Sequence, residues 1–169
     1  MIFQTERLLV RRYTMADEEN FYLLNSDEEV MKYIRPPKTR KEAFQFLVEN
    51  IEYYGQYPAY GRWALIEKAT QRFIGSFMLR PSTAILENIE LGYALLKENW
   101  GYGFATESVL GGVSFAFSQL RLSSLVAITQ TGNRASQKVL VKCGFVQLNN
   151  IDDKGREVAL FSIENKTHG

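Results

Sequence analysis

The sequence predicts a mixed α/β (α+β) fold in which one central sheet carries helices on both faces. Its elements run in the order strand, helices, an antiparallel meander of strands, and then strand, helix, strand, helix and strand. Apolar residues make up 46% of the 169 residues and charged residues 23%, which is typical of a soluble globular domain. No internal repeat, low-complexity tract or linker is visible, so we expect a single domain over residues 1–169.

The first third of the chain predicts one strand and three helices. Residues 8–13 form the strand, and Thr14 suits the N-cap of a helix that begins near Met15. A capping-box spacing over residues 26–29 predicts a short second helix to about residue 33. The same spacing over residues 39–42 opens a third helix, whose apolar stripe consists of Ala43, Phe44, Phe46, Leu47 and Ile51.

The rest of the chain predicts six further strands and two helices. A tyrosine-rich loop over residues 53–62 leads into strands at 63–67, 73–79 and 88–96. A helix over 104–119, a buried strand over 125–129 and a helix over 133–143 follow, and Gly144 suits the C-terminal stop. Strands at 146–148 and 157–163 form a closing hairpin around residues 153–155. The predicted sheet is therefore mostly antiparallel and has about seven strands.

Residues 99–108, NWGYGFATES, place two glycines directly before a helix. Gly101 and Gly103 permit unusual backbone angles and a close approach of backbone N–H groups to a ligand. The helix start adds unpaired N–H groups and the positive end of the helix dipole, so the segment predicts an anion site. A tight turn that needs glycine for geometry alone is the alternative. A P-loop is excluded because no lysine follows, and Thr106 stands where the dinucleotide fingerprint needs glycine or alanine.

Two further blocks accompany the glycine turn. Asn133-x-x-Ser136 opens a helix that ends at Gly144, and residues 5–34 begin with TERLLVRR and contain DEEVMKYI. Together with the turn, these blocks resemble the GNAT superfamily of acyl-CoA-dependent N-acetyltransferases over residues 5–163. In that family an Arg/Gln-x-x-Gly-x-Gly/Ala turn binds the pyrophosphate of acetyl-CoA, and here Trp100 replaces the first polar residue. The opening block resembles the ribosomal-protein alanine N-acetyltransferase branch.

The resemblance implies a GNAT-type fold and transfer of an acetyl group from acetyl-CoA to a primary amine by direct attack in a ternary complex. The ribosomal-protein branch implies a protein N-terminal α-amine as acceptor. A small-molecule amine (polyamine, amino sugar or amino acid) remains an alternative. So does a non-catalytic acyl-CoA-binding module, which is favoured by Leu140 where many members carry a tyrosine.

The resemblance also implies roles for individual residues. Glu90 is the expected base, because it shares a strand face with Gly92 and because members often carry a base or water-holding glutamate there. The alternative is that Glu90 lies at the margin of the sheet and pairs with an arginine. Ser136 is the expected acid in place of a tyrosine, or else it makes only a helix-start hydrogen bond. The expected acetyl-CoA-binding residues are Leu95, Trp100, Gly101, Tyr102, Gly103, Phe104, Ala105, Thr106, Asn133, Arg134 and Ser136, with Lys138 joining Arg134 at the 3′-phosphate unless both are ordinary solvated charges.

Composition limits the remaining partners. The net charge of +1 indicates no nucleic acid or anionic membrane. The single cysteine, Cys143, excludes an internal disulfide, and we expect its side chain to pack in the core. Because the chain has only this cysteine and one histidine, His168, we expect no metal site. The start of the chain lacks a secretory signal pattern, so we expect a cytoplasmic protein. We expect this protein to be a monomer or a homodimer. Three roles stay open for the tyrosines of residues 53–60. They can wall an acceptor pocket, pack at a dimer interface or cover the sheet.

Overall fold

The computed structural model describes residues 1–166, and His168 lies outside the described residues. Within them, nine strands form one sheet. The strands are β1 Phe3–Gln4, β2 Leu8–Arg12, β3 Gly61–Glu67, β4 Phe73–Pro81, β5 Ile89–Leu95, β6 Ser124–Gln130, β7 Val146–Gln147, β8 Ile151–Asp153 and β9 Arg156–Glu164. The helices are α1 Glu18–Ser26, α2 Glu28–Met31, α3 Arg40–Gln56, α4 Phe104–Ser118 and α5 Arg134–Lys142, with 3-10 turns at Met15–Asp17 and Lys97–Asn99. The predicted fold class is confirmed.

The sheet has the strand order β1-β2-β3-β4-β5-β6-β9-β7, and β8 also pairs with β9. All neighbouring pairs are antiparallel except β5 and β6, which run parallel. The two strands beyond the expected seven, β1 and β8, have only two and three residues, too few to show an alternating pattern. The predicted closing hairpin is formed by β8 and β9, which the turn at Lys154 and Gly155 joins. Strand β7 pairs with a later part of β9, at Phe161 and Ser162.

Helix starts follow the side-chain caps that the sequence contains, with one correction. Thr39 accepts a hydrogen bond from the Glu42 N–H at 3.3 Å, which confirms the capping box of α3. The cap of α2 is Asp27 rather than Ser26, because Ser26 still belongs to α1. The Asp27 carboxylate accepts from two N–H groups of the next turn, at 2.8 and 3.1 Å.

The third helix is longer than expected and continues through Gln56. The loop predicted to begin at residue 53 is therefore wrong over its first part, because a single Gly55 does not stop a helix that packs on the sheet. The expected stripe is correct at Ala43 and Leu47, which are buried, but Phe44 is 42% exposed.

Among the helices of residues 1–166, none is both long and apolar enough to cross a membrane.

Each face of the sheet carries its own apolar core. One core joins Trp63 and Phe77 to residues of α4 and α5, and the other packs Phe21 and Leu47 of α1 and α3 on the opposite face. Helix α4 approaches the sheet at Gly112, where a Cβ would lie 2.0 Å from the Phe77 ring. Both faces are thus covered, as predicted.

The parallel pair β5 and β6 is joined at a single register position, Glu90 opposite Val126. Farther along both strands, residues such as Tyr93 and Ile128 line a cavity instead of a continuous ladder. This split in the middle of the sheet determines where the candidate site lies.

Candidate functional site

A cavity of about 1100 Å³ runs through the split between β5 and β6. It extends from the glycine turn before α4 to the segment after α2. Two predicted site residues, Tyr102 and Arg134, are exposed and do not line it. The predicted site residues that do line it are Glu90, Leu95, Trp100, Gly101, Gly103, Phe104, Ala105, Thr106, Asn133 and Ser136.

The glycine turn has the backbone that its sequence predicts. Gly101 and Gly103 both have φ of +81°, a left-handed conformation that side chains other than glycine adopt at a cost. A Cβ at Gly101 would meet no heavy atom within 4 Å, so the turn faces open space. The first hydrogen bond of α4 runs from Glu107 N–H to the Gly103 carbonyl at 3.0 Å, so the preceding N–H groups have no intrahelical acceptor. The turn can therefore bind an anion through its backbone.

Arg7 lies against this turn, which the sequence analysis did not anticipate. Its Nε is 2.6 Å from the Glu107 carboxylate, and its Nη1 donates to the Tyr102 carbonyl at 3.0 Å. The guanidinium also lies 4.5 Å from the Phe104 ring centroid. A partly exposed cation is thus held beside the glycine turn by a helix about a hundred residues away in sequence, a placement that no local pattern encodes.

Trp100 connects the glycine turn to the end of β5. Its indole N–H donates to the Leu95 carbonyl at 3.0 Å. That carbonyl retains a second lone pair for another donor. The residue that departs from the usual polar position of the motif therefore holds the turn to the strand.

The start of α5 brings two hydroxyl groups together. Asn133 caps the helix by accepting from the Ser136 N–H at 3.2 Å, and the Tyr93 hydroxyl donates to Ser136 Oγ at 3.2 Å. Burial raises the pKa of Tyr93 to about 12, although the hydrogen bond to Ser136 opposes the shift. Leu140 is only 1% exposed and belongs to the apolar core. Alternation along β5 puts Tyr93 on the same face as Ile89 and Leu91, which predicts an apolar environment, and its position in the cavity is a finding of the structure.

Glu90 lies on the side of β5 that faces away from Tyr93. The Ser82 hydroxyl donates to its carboxylate at 3.0 Å while accepting from two backbone N–H groups. Burial raises the pKa of Glu90; the Ser82 hydrogen bond lowers it, and the nearby charge of Asp153 raises it further. In residues 1–166 no arginine or lysine nitrogen lies within 4.0 Å of this carboxylate. A carboxylate with a raised pKa in a cavity is suited to accept a proton near neutral pH.

Several residues singled out from the sequence lie apart from the cavity. Tyr53 and Tyr54 belong to α3, and Tyr54 is buried under the sheet. None of the tyrosines between residues 53 and 60 lines the cavity, so their expected role as its wall is wrong. Arg134 and Lys138 are exposed on α5.

Cys143 packs in the core, where its thiol contacts the Thr106 carbonyl at 3.6 Å. Burial raises the pKa of this thiol. Within residues 1–166, no three His, Cys, Asp or Glu side chains come together in a metal-binding arrangement.

Comparison with known proteins gives a consistent result. Residues 7–146 match the family model described as an acetyltransferase (GNAT) domain. An uncharacterized N-acetyltransferase of Bacillus subtilis, YoaA, is 30% identical over 85% of this chain and 82% of its own length. Two solved structures show the same fold. A Vibrio cholerae spermidine N-acetyltransferase in complex with CoA and spermine has a TM-score of 0.77 at 21% identity, over 95% of this chain and 96% of that one. The Vibrio fischeri ribosomal-protein-S5-alanine acetyltransferase has a TM-score of 0.76 at 20% identity, over 97% and 96%.

Proposed function

Because this chain belongs to the GNAT acetyltransferase family, we propose that it moves an acetyl group from acetyl-CoA to a protein N-terminal α-amine. The family match and its N-acetyltransferase relatives identify an acyl-CoA-dependent enzyme rather than a binding module. The α-amine acceptor is the proposed part. It is supported by the opening block of the sequence and by the likeness to the ribosomal-protein acetyltransferase fold.

One observation carries the proposal, namely that a single cavity joins the glycine turn to Glu90. An acyl transfer needs the anionic end of the donor anchored at one place and a base for the amine at another. The turn at Gly101 and Gly103 fits the diphosphate of acetyl-CoA, because both glycines line the cavity and the Arg7 guanidinium lies beside them. Asn133 and the second lone pair of the Leu95 carbonyl are proposed to bind the pantetheine arm.

In the proposed reaction Glu90 first accepts a proton from the ammonium, directly or through water, and the neutral amine then attacks the acetyl carbon. The nitrogen gives up its second proton to water as the amide forms. An N-terminal α-amine has a pKa of about 7.7–8.0, so a large part of it must lose a proton at pH 7 before it can attack. The raised pKa of Glu90 brings this base closer to the working pH. The new N–C bond forms as the C–S bond breaks.

The departing thiolate of CoA then takes a proton from the hydroxyl pair of Tyr93 and Ser136, and the pair regains a proton from water. Tyr93 remains protonated at neutral pH, because its pKa is about 12, so the pair keeps both hydroxyl hydrogens until the thiolate develops. Its hydrogen bond to Ser136 links the expected acid to a second hydroxyl that replaces the tyrosine absent at Leu140. Tyr93 and Ser136 are on the α4 and α5 side of β5, and Glu90 is on the other side, so donor and acceptor approach the split from opposite faces.

A small-molecule amine is the second candidate, and the likeness to the spermidine N-acetyltransferase fold favours it. The two candidates are separated by a panel in which CoA release is measured with three acceptors. These are a peptide with a free α-amine, the same peptide with that amine blocked and one internal lysine, and spermidine. We expect the free α-amine to be used at least tenfold faster by kcat/KM, with mass spectrometry locating the acetyl group at the N-terminus. Faster turnover of spermidine would overturn the α-amine acceptor, and no release with any amine would overturn the proposed activity.

A further inference from the structure

Arg62 and Arg35 line the cavity, and within residues 1–166 neither has an acidic partner. Arg62 of β3 is in register with Met78 of β4, which is in register with Gly92 of β5. The three therefore lie in one row across the sheet, one pleat away from Glu90. Arg35 follows α2 and lines the same cavity. No motif in the sequence points to either arginine.

The Arg62 guanidinium makes only weak contacts. Its Nη2 is 3.4 Å from the thioether sulfur of Met78, a poor acceptor, and its carbon lies 5.3 Å from the Phe46 ring centroid. Its Nε is inaccessible to solvent and has no hydrogen-bond partner. In residues 1–166 no carboxylate oxygen lies within 4.0 Å of it.

Arg35, in the segment after α2, approaches the same phenyl ring. Its guanidinium carbon is 5.1 Å from the Phe46 ring centroid, and its Nη1 donates to the Asn25 side chain at 3.0 Å. Burial, and next the charge of Arg35, lower the pKa of Arg62 to about 9. Burial also lowers the pKa of Arg35. Because a guanidinium keeps its proton at neutral pH in proteins, both side chains are cations. Two like charges therefore meet in a partly desolvated cavity, which is unfavourable unless an anion joins them.

Arginines with structural contacts elsewhere in the chain contrast with this pair. Arg11 is paired with Asp17 at 2.8 Å, Arg7 with Glu107 at 2.6 Å, and Arg40 with Glu19 at 2.6 Å. In each case the fold supplies the carboxylate. At Arg62 the fold leaves a planar donor group in the lining of the same cavity as the candidate base.

We propose that Arg62, with Arg35 beside it, binds a carboxylate of the acceptor, so that the acceptor is an amine that also carries a carboxylate group. Strand spacing puts the Arg62 and Glu90 backbones about 10 Å apart across the sheet and about 7 Å along it. The long arginine side chain shortens that separation, and its planar fork matches a carboxylate. The same two cations repel a polyamine. This inference rests on the proposed acetyl transfer and specifies its substrate class.

The carboxylate has two possible sources, which the test distinguishes. It is either the α-carboxylate of a free amino acid or an acidic side chain next to the N-terminus of a peptide. The matched acceptors are L-alanine against L-alaninamide, and the peptide Ala-Glu-Ala-Ala-amide against Ala-Gln-Ala-Ala-amide. The variants are Arg62→Met, Arg62→Lys and the exposed, ion-paired Arg40→Met as the control for lost charge.

The decisive quantity is the ratio of kcat/KM between the acid and the neutral member of a pair. Comparing this ratio between enzymes cancels the different amine pKa values of the two members. For the acceptor that is used, we expect Arg62→Met to lower the ratio on the order of 30-fold, because a charge-assisted hydrogen bond is lost. Arg62→Lys recovers part of that loss, and Arg40→Met leaves the ratio unchanged. An unchanged ratio in Arg62→Met for both pairs would overturn the inference.

A binding measurement separates this inference from the proposed activity. We expect N-acetyl-L-alanine or N-acetyl-Ala-Glu-Ala-Ala-amide to raise the melting temperature of the CoA-saturated wild type, but not that of Arg62→Met. The melting shift that CoA itself causes should be equal in both, which shows that the variant is folded. If no amine releases CoA, the acetyl transfer fails while this shift still tests the carboxylate site. Equal shifts in wild type and Arg62→Met, or no shift in either, would reject that site, and Arg62→Lys and Arg35→Met repeat the comparison if Arg62→Met does not fold.

Discussion

Replacing Glu90 by glutamine tests the proposed base directly. The glutamine keeps the size of the side chain and an oxygen for the Ser82 hydroxyl, but it cannot accept a proton at neutral pH. General-base catalysis contributes about 10²–10⁴-fold. For an acceptor with a pKa of about 8, roughly one tenth of the amine is already neutral at pH 7, so the effect falls at the lower end of that range. We therefore expect about a 100-fold loss of kcat/KM at pH 7, which corresponds to about 2.7 kcal/mol.

The pH profile of CoA release carries the test. In the wild type, kcat/KM falls as the pH drops through the pKa of Glu90, which burial holds above its ordinary value of 4.5. In Glu90→Gln this fall disappears, and kcat/KM depends only on the fraction of the amine that is neutral. The loss of kcat/KM relative to the wild type therefore becomes smaller as the pH rises towards the pKa of the amine. Glu98→Gln, on an exposed residue outside the cavity, is the matched control. A Glu90→Gln profile parallel to that of the wild type, or a loss below threefold, would remove Glu90 from the mechanism.

Three further predictions test the turn, the hydroxyl pair and the fold. Gly101→Ala and Gly155→Ala replace glycines of φ +81° and +82° that both face open space, so each should lower the free energy of unfolding by about 1 kcal/mol, but only Gly101→Ala should raise KM for acetyl-CoA. Equal effects on KM would reject the anion-binding turn. Tyr93→Phe should lower kcat about tenfold with little change in KM, and adding Ser136→Ala should cost little more, because the two hydroxyls act as one unit; full activity in both variants would exclude them as the acid. Burial alone would raise the pKa of Asp17, but its hydrogen bonds from an arginine and from the backbone outweigh burial and hold the pKa below 3.8. The ionised carboxylate therefore stabilises the fold fully above pH 3.8, and this stabilisation is lost as the pH falls through the pKa of Asp17 in the folded protein. Chemical denaturation should show Asp17→Asn destabilised on the order of 2 kcal/mol at pH 7 and close to wild type once the pH lies below the folded-state pKa of Asp17, whereas a deficit independent of pH would contradict the charge argument.

Local signals in the sequence were sufficient for most of the scaffold. The capping box at Thr39 and the glycine at residue 144 determine helix ends through hydrogen bonds to neighbouring residues, and the structure confirms both ends. The left-handed glycines before α4 follow from the same kind of short-range information. Where the signal was weak, the prediction was wrong: Gly55 did not interrupt α3, because packing on the sheet outweighs the cost of one glycine.

The acidic and hydroxyl residues of the site depended on both levels. Glu90 and Ser136 were selected by resemblance, and each lines the same cavity although they are far apart in sequence. Their neighbours could not have been selected in this way. The alternation of β5 assigns Tyr93 to an apolar face, and only the single register contact between β5 and β6 turns that face into a cavity wall.

By itself the sequence determined the fold class, the order of most strands and helices, and the permissive backbone of the glycine turn, because these depend on residues within a few positions of one another. The tertiary structure alone decided that Arg7 lies beside the turn, that Tyr93 meets Ser136, and that Arg62 and Arg35 meet around one phenyl ring without an acid. Such contacts join elements distant in the chain, and they depend on where the sheet splits and which strands become neighbours, which no local pattern encodes.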